Sequence, residues 1–178
     1  MAKLKSIQFL LATAAKHGWP INMFDFHSTF LNGELDPEEE VYMEQPQRYE
    51  ESDKKWYMCK LLKSLYGLKQ AGRKWYDALC RVLADIRFRQ FKANPAVFYA
   101  HQDGNITILA CDVDNCTITK NSQVLIQGYK DKLKEKYSLA NLGPANWLLG
   151  RDLEAQTIFL SQSTYSGSQN HPNVCCFG

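Results

Sequence analysis

The sequence has no run of eighteen apolar residues, so no segment of it reads as a membrane-spanning helix. It has no internal repeat and no low-complexity stretch, which excludes a solenoid or a disordered linker. Its six cysteines, Cys59, Cys80, Cys111, Cys116, Cys175 and Cys176, form no CxxC pair and no regular spacing. With no secretory leader, they read as reduced thiols of an intracellular protein, cytoplasmic or nuclear and not secreted. His171 near Cys175 and Cys176 supplies too few ligands for a closed zinc site. Net charge is also scarce. At +2 it is weak for a nucleic-acid binder, so any such binding must come from local clusters.

What is present is a globular composition. Of 178 residues, 45% are hydrophobic and 22% charged, enough for one domain with a real core. The N-terminus has lysines followed by an apolar stretch, the outline of a signal peptide. Ile7, Leu10, Leu11 and Ala14 nevertheless keep helical spacing, with Gln8 and Thr13 among them. That pattern predicts an amphipathic helix over residues 3–16, stopping near Gly18 and Pro20.

Residues 21–26 read as a short buried strand carrying a lone carboxylate, Asp25. Asn32 and Gly33 signal a turn, and residues 34–40 are acidic and exposed. Short strands are expected at residues 41–43 and 56–62. After Gly72 an amphipathic helix follows, marked by Trp75, Leu79, Val82, Leu83 and Ile86. Residues 96–99 and 106–113 read as a hairpin around Asp103-Gly104-Asn105, and residues 116–119 continue after a tight turn at 112–115. A helix over 122–137 is expected, with Val124, Ile126, Leu133 and Tyr137 as apolar points, then a late strand at 158–160. The fold class is α+β, helices packed on an antiparallel sheet. The segment from about Ser166 is polar and aperiodic and reads as a loose tail.

Two features could carry chemistry. Asp25 closes one strand and Asp114 sits in the turn between two others. Brought together, two carboxylates at adjacent strand ends make a site for a hard cation such as Mg²⁺. From spacing alone, two ordinary turn aspartates are the simpler reading. Residues 63–75 contain four cations, Lys63, Lys69, Arg73 and Lys74, two glycines, and aromatics near both ends. Such a loop, running into a helix N-terminus, suits phosphate; a basic loop with a helix cap explains it as well.

A resemblance to a known family decides between these readings. The stretch Asp25-Phe26-His27-Ser28-Thr29-Phe30-Leu31-Asn32-Gly33 resembles the "DVKTAFLNG" segment of Ty1/copia-type reverse transcriptases. Val41-Tyr42-Met43-Glu44-Gln45-Pro46 resembles their "VYMEQP", and residues 60–75 their "CKLxKSLYGLKQAxRxW". Residues 111–119 are similar to the "YVDDILIT" hairpin and to a "HVDDCTIT" variant. Leu142-Gly143, Leu149-Gly150 and Leu160-Ser161-Gln162 are similar to "DLGxxxxFLG" and "LSQ". The match runs from about residue 2 to 165, which makes residues 1–165 a partial reverse transcriptase domain and 166–178 an unrelated tail.

The resemblance implies a right-hand polymerase palm and RNA-directed DNA synthesis. It implies Asp25, Asp114 and Asn115 as the catalytic set, with Asp25 and Asp114 holding Mg²⁺ or Mn²⁺. Phe26, Phe30 and Gln70 become nucleotide-binding, with Phe30 abutting the sugar and excluding a 2′-hydroxyl. Lys63, Lys69, Arg73 and Lys74 become nucleic-acid-binding, in a loop facing the same cleft with Trp75 behind it. Partners are then an RNA or DNA template-primer and deoxynucleotides, with no membrane.

The sequence also departs from the family. The paired Asp-Asp is Asp114-Asn115, one carboxylate short, which weakens metal binding. Asp112 stands where Tyr or His is usual. Gly150 runs straight into Arg151-Asp152-Leu153, as if residues were lost, and the family's basic fingers segment is missing upstream. The expectation is a degenerate polymerase, without measurable synthesis. Its rivals are a non-catalytic nucleic-acid-binding remnant and a pseudogene product with no selected role.

Overall fold

The computed structural model describes residues 2–51, 53, 56–102, 104–145, 147–148 and 151–152. The late strand expected at 158–160, the Gly150 junction and the 166–178 tail lie outside them. The chain divides into two compact units, residues 1–27 with 83–178, and residues 28–82.

In the larger unit, α1 (Leu4–His17) buries Ile7, Leu10, Leu11 and Ala14, the predicted stripe. It ends because Gly18 takes φ +62, where a residue without Cβ costs least, and the Gly18 and Trp19 N–H groups cap Ala15 and Ala14 carbonyls. The sheet is β1 (Ile21–Phe26), β4 (Arg89–Phe91), β5 (Asn94–Gln102), β6 (Asn105–Asp112), β7 (Asn115–Thr119) and β8 (Leu139–Pro144). Its order is β4-β5-β6-β7-β1-β8, all antiparallel. A two-residue pair, β9 (Trp147–Leu148) with β10 (Arg151–Asp152), follows.

Helix α1 packs on one face of the sheet and α3 (Gln123–Lys134) on the other. Residues 21 and 23 of β1 pack with Ile108, Ala110 and Val97 against the α1 stripe. Alternation sends Asn22, Phe24 and Phe26 to the other face, toward α3. There the buried Lys130 Nζ donates to Asn141 Oδ1 at 2.6 Å and lies 5.8 Å from the Phe24 ring centroid. Burial pulls its ammonium below the usual lysine range, with the Lys134 charge adding to the effect. Asn22 is held in the same network by Gln123.

Several expectations are corrected here. The helix α3 buries Ile126, Tyr129, Lys130 and Leu133, while Val124 is 80% exposed. Two strands of the large sheet were not foreseen, β4 and β8, nor was the β9–β10 pair; β8 is the edge partner of β1.

In the smaller unit, a single 3-10 turn at Thr29–Asn32 leads through the acidic stretch to a two-residue ladder, β2 (Tyr42–Met43) with β3 (Cys59–Lys60). Then comes α2 (Ala71–Asp85), whose last three residues belong to the larger unit. Trp75 and Leu79 are buried as expected. The helix begins at Ala71, so Gly72 lies inside its first turn rather than before it. Gly33 has φ −79, so no turn geometry demands glycine. A Cβ there would lie 2.7 Å from Ser64 Oγ, 2.9 Å from Lys74 Cβ and 2.9 Å from the Trp75 backbone N, and only glycine fits.

Candidate metal centre and basic loop

The turn 112–115 joins β6 to β7. Asp112 pairs with Asn115 across it, leaving Val113 and Asp114 as the two turn residues. Val113 has φ +59, in the left-handed region that a β-branched residue rarely enters. A positive φ at the first of two turn positions is what a twisted two-residue hairpin needs. The strand then runs straight beside β1, where Asp25 is the direct partner of Asn115. Directly opposed residues project to the same face. Asp112, Asn115 and Asp25 therefore form one row across three strands, on the face that α1 covers farther along.

Asp114 is tied to β1 from the turn. Its carbonyl accepts the Phe26 N–H at 3.0 Å. Its carboxylate Oδ1 accepts from the Asn115 backbone N–H at 3.0 Å and from Asn115 Nδ2 at 3.1 Å. Burial raises the Asp25 carboxyl above its ordinary range, and the nearby Asp114 charge raises it further, against a smaller lowering by His27. Asp112 keeps one buried oxygen, Oδ1, without a hydrogen-bond partner.

The structure thus brings Asp25, Asp114 and Asn115 together, as the sequence expectation required. Phe26 differs. Its ring is buried, edge-on to Phe24 at 5.5 Å and to Tyr137 at 5.7 Å, on the face opposite Asp25. Its side chain is part of the core, and it is its backbone N–H that reaches Asp114.

The donor set suits a hard cation. The Asp114 charge raises the proton affinity of Asp25, and a divalent ion would relieve that repulsion. Asn115 adds no charge, and its amide N–H occupies one Asp114 oxygen. Among the described residues, no group of three or more His, Cys, Asp or Glu is arranged to hold a metal ion.

In the smaller unit, Phe30 is half-buried, edge-on to Tyr66 at 4.9 Å, and its carbonyl accepts from Ser64 Oγ. Lys63, Lys69 and Arg73 are exposed. Lys74 is not. Its Nζ lies 2.6 Å from Asp36 and 3.0 Å from Glu39, and these bonds raise its ammonium above the usual lysine range. Gln70 Nε2 donates to Glu39 at 2.6 Å. The acidic stretch is therefore partly a counter-charge for α2, a role its exposed sequence pattern does not reveal.

A family model for reverse transcriptase (RNA-dependent DNA polymerase) matches residues 1–170. The chain belongs to the reverse transcriptase family. Its relatives are retrotransposon proteins of the Ty1/copia type. The Pol polyprotein from transposon TNT 1-94 of Nicotiana tabacum is 35% identical over 170 residues, 93% of this chain and 13% of that polyprotein. The Pol polyprotein from transposon RE1 of Arabidopsis thaliana is 34% identical over 167 residues, 92% of this chain and 11% of that polyprotein. A putative transposon Ty5-1 protein of Saccharomyces cerevisiae is 26% identical over 144 residues, 79% of this chain and 46% of that protein. Among the described residues, no helix is long and apolar enough to cross a membrane. The family uses divalent metal ions and a nucleic-acid template-primer.

Proposed function

We propose that the chain carries the palm of an RNA-directed DNA polymerase, with a metal site weakened by Asn115. The observation that carries this reading is the pairing of Asp25 with Asn115 beside Asp114 at the ends of adjacent strands. Asp25 and Asp114 would hold Mg²⁺, or Mn²⁺ in its place. Such an ion, when bound, supplies charge neutralisation at the phosphates and acidifies the attacking 3′-hydroxyl. The chain's own residues set the ground for that. Phe26 N–H fixes the Asp114 carbonyl and so the height of the turn. Asn115 fixes one Asp114 oxygen. Phe30, braced by Tyr66, would exclude a 2′-hydroxyl by contact with the sugar, and Gln70 would lie near the nucleotide. Lys63, Lys69 and Arg73 would meet backbone phosphates of a template-primer. Lys74, matched by two carboxylates, would contribute least.

The site has one carboxylate fewer than the family's Asp-Asp pair. Losing a single contact to developing charge commonly lowers rate on the order of a hundredfold. The test is primer extension on an RNA template with Mg²⁺ and then Mn²⁺, with Asp25→Ala as the contamination control. No measurable synthesis is expected. Extension by the chain that Asp25→Ala abolishes would uphold the palm and overturn its degeneracy. Extension that survives Asp25→Ala, and also survives in a mock preparation from cells lacking the chain, is contamination; extension that survives Asp25→Ala with a silent mock preparation would overturn Asp25 as the metal-holding residue.

A further inference from the structure

We infer that Cys111 and Cys116 form an oxidation site, closing to an internal disulfide directly beneath the turn that carries Asp114. The two cysteines are direct partners across β6 and β7. Their sulfurs lie 2.9 Å apart, Sγ to Sγ, and both side chains are buried. The thiols do not face Asp25. They belong to the row behind it, where Cys116 also pairs with Phe24.

Register decides that a bond can form. In a hairpin with a two-residue turn, the pair flanking the turn, Asp112 with Asn115, exchanges the backbone hydrogen bonds. The next pair, Cys111 with Cys116, is the non-hydrogen-bonded one, with Cα atoms about 4.5 Å apart. That lies within the range a disulfide spans, about 4.4–6.8 Å. The sulfurs need to approach by only about 0.9 Å to reach a bond of about 2.05 Å. No backbone rearrangement is required. The remaining described cysteines, Cys59 and Cys80, are partly exposed.

The oxidant is a small hydroperoxide, hydrogen peroxide being the simplest. One sulfur attacks a peroxide oxygen; the O–O bond breaks, a sulfenic acid forms, and the thiol proton leaves with hydroxide as water. The second sulfur then attacks the sulfenic sulfur. The S–S bond forms, the S–O bond breaks, and the second thiol proton leaves with that oxygen as a second water. Two thiols are oxidised and one peroxide is reduced. Cys111 lies two residues from the turn residue Val113 and is 5% exposed, so brief fraying of the tip admits so small an oxidant. Closing the ring staples β6 to β7 one step below Asp112 and Asn115. It holds the strained Val113 turn in place whether or not the chain polymerises nucleotides.

The experiment uses the full chain. It is treated with hydrogen peroxide, denatured, alkylated and digested with trypsin. Residues 93–120 leave as one peptide whose only cysteines are Cys111 and Cys116. The expected result is that peptide unalkylated and two hydrogen masses lighter, restored to two alkylated thiols by prior dithiothreitol. In the oxidised protein, amide exchange at residues 112–115 should slow severalfold. Cys111→Ala and Cys116→Ala should each abolish the light species, and the first readout needs neither variant to fold. The inference is overturned if Cys111 and Cys116 stay alkylatable at peroxide doses that oxidise Cys59 and Cys80. It is equally overturned if they end as separate sulfinic acids or are joined to other cysteines, or if exchange at the turn is unchanged.

Discussion

Asp25 and Asn115 face each other directly across the β1–β7 ladder, so the residue opposite the first carboxylate of the site is an uncharged amide. The charge that raises the Asp25 pKa comes instead from Asp114, one residue earlier, in the turn. Asp114→Asn should therefore lower the Asp25 pKa toward the ordinary carboxylate value without reaching it, because burial is the larger cause. Carbon-detected NMR titration of the Asp25 carboxyl measures this. An unmoved or raised value would show that the two carboxylates do not sense each other.

The same shift sets a pH dependence. The folded chain holds the Asp25 proton more tightly than the unfolded chain does. Asp25 thus costs no stability below its unfolded pKa, and a cost appears as pH rises through the raised folded value. Asp25→Asn should raise the melting temperature relative to the parent at pH 7 and lose that advantage near pH 3. A difference that is constant with pH would contradict this.

Asn115→Asp restores a carboxylate next to both others. Divalent-cation affinity should rise on the order of tenfold, equivalent to ~1.4 kcal/mol. Calorimetric titration with Mn²⁺ on parent and variant checks it. Equal affinities would mean that Asn115 is not part of the site.

Lys74 is held by Asp36 and Glu39, so its charge is matched before any phosphate arrives. Changing both acids, Asp36→Asn with Glu39→Gln, should tighten duplex binding and steepen its salt dependence by about 0.9 if one phosphate contact is gained. Replacing Lys69 and Arg73 by alanine should flatten the slope. Fluorescence anisotropy over a salt series measures both, and slopes that do not move would place any binding elsewhere.

Gly33 is required by close packing against Ser64, Lys74 and Trp75. Gly33→Ala should destabilise the fold by about 1–3 kcal/mol, the usual cost of overpacking. Chemical denaturation measures it, and a neutral variant would mean that the contact relaxes freely.

Much of this fold is legible in the residues. The α1 stripe of Ile7, Leu10, Leu11 and Ala14 buries as its spacing dictates, and β1 runs from Ile21 to Phe26 as read. The turn at 112–115 is where its flanking strands required it. What was hidden depends on tertiary partners. The strand β8 contains Gly143 and Pro144 and has no apolar alternation, so only its ladder with β1 makes it a strand. Lys130 reads as a solvated residue, yet its stem and ammonium are buried among Phe24, Asn22 and Asn141. The buried face of α3 includes Lys130 and leaves Val124 exposed. In the site, the carboxylates and the amide were legible by type. Two facts were not: the ring of Phe26 points into the core, and the acidic stretch neutralises Lys74.

The most direct measurement is paramagnetic broadening by Mn²⁺ in the amide NMR spectrum of the chain, compared with Asp25→Asn. The first resonances to broaden should be those of Phe26, Asp114 and Asn115, at substoichiometric Mn²⁺, and that broadening should vanish in the variant. Broadening centred on residues 34–40, or unchanged in Asp25→Asn, would contradict the assignment of Asp25 and Asp114 as the metal-holding pair.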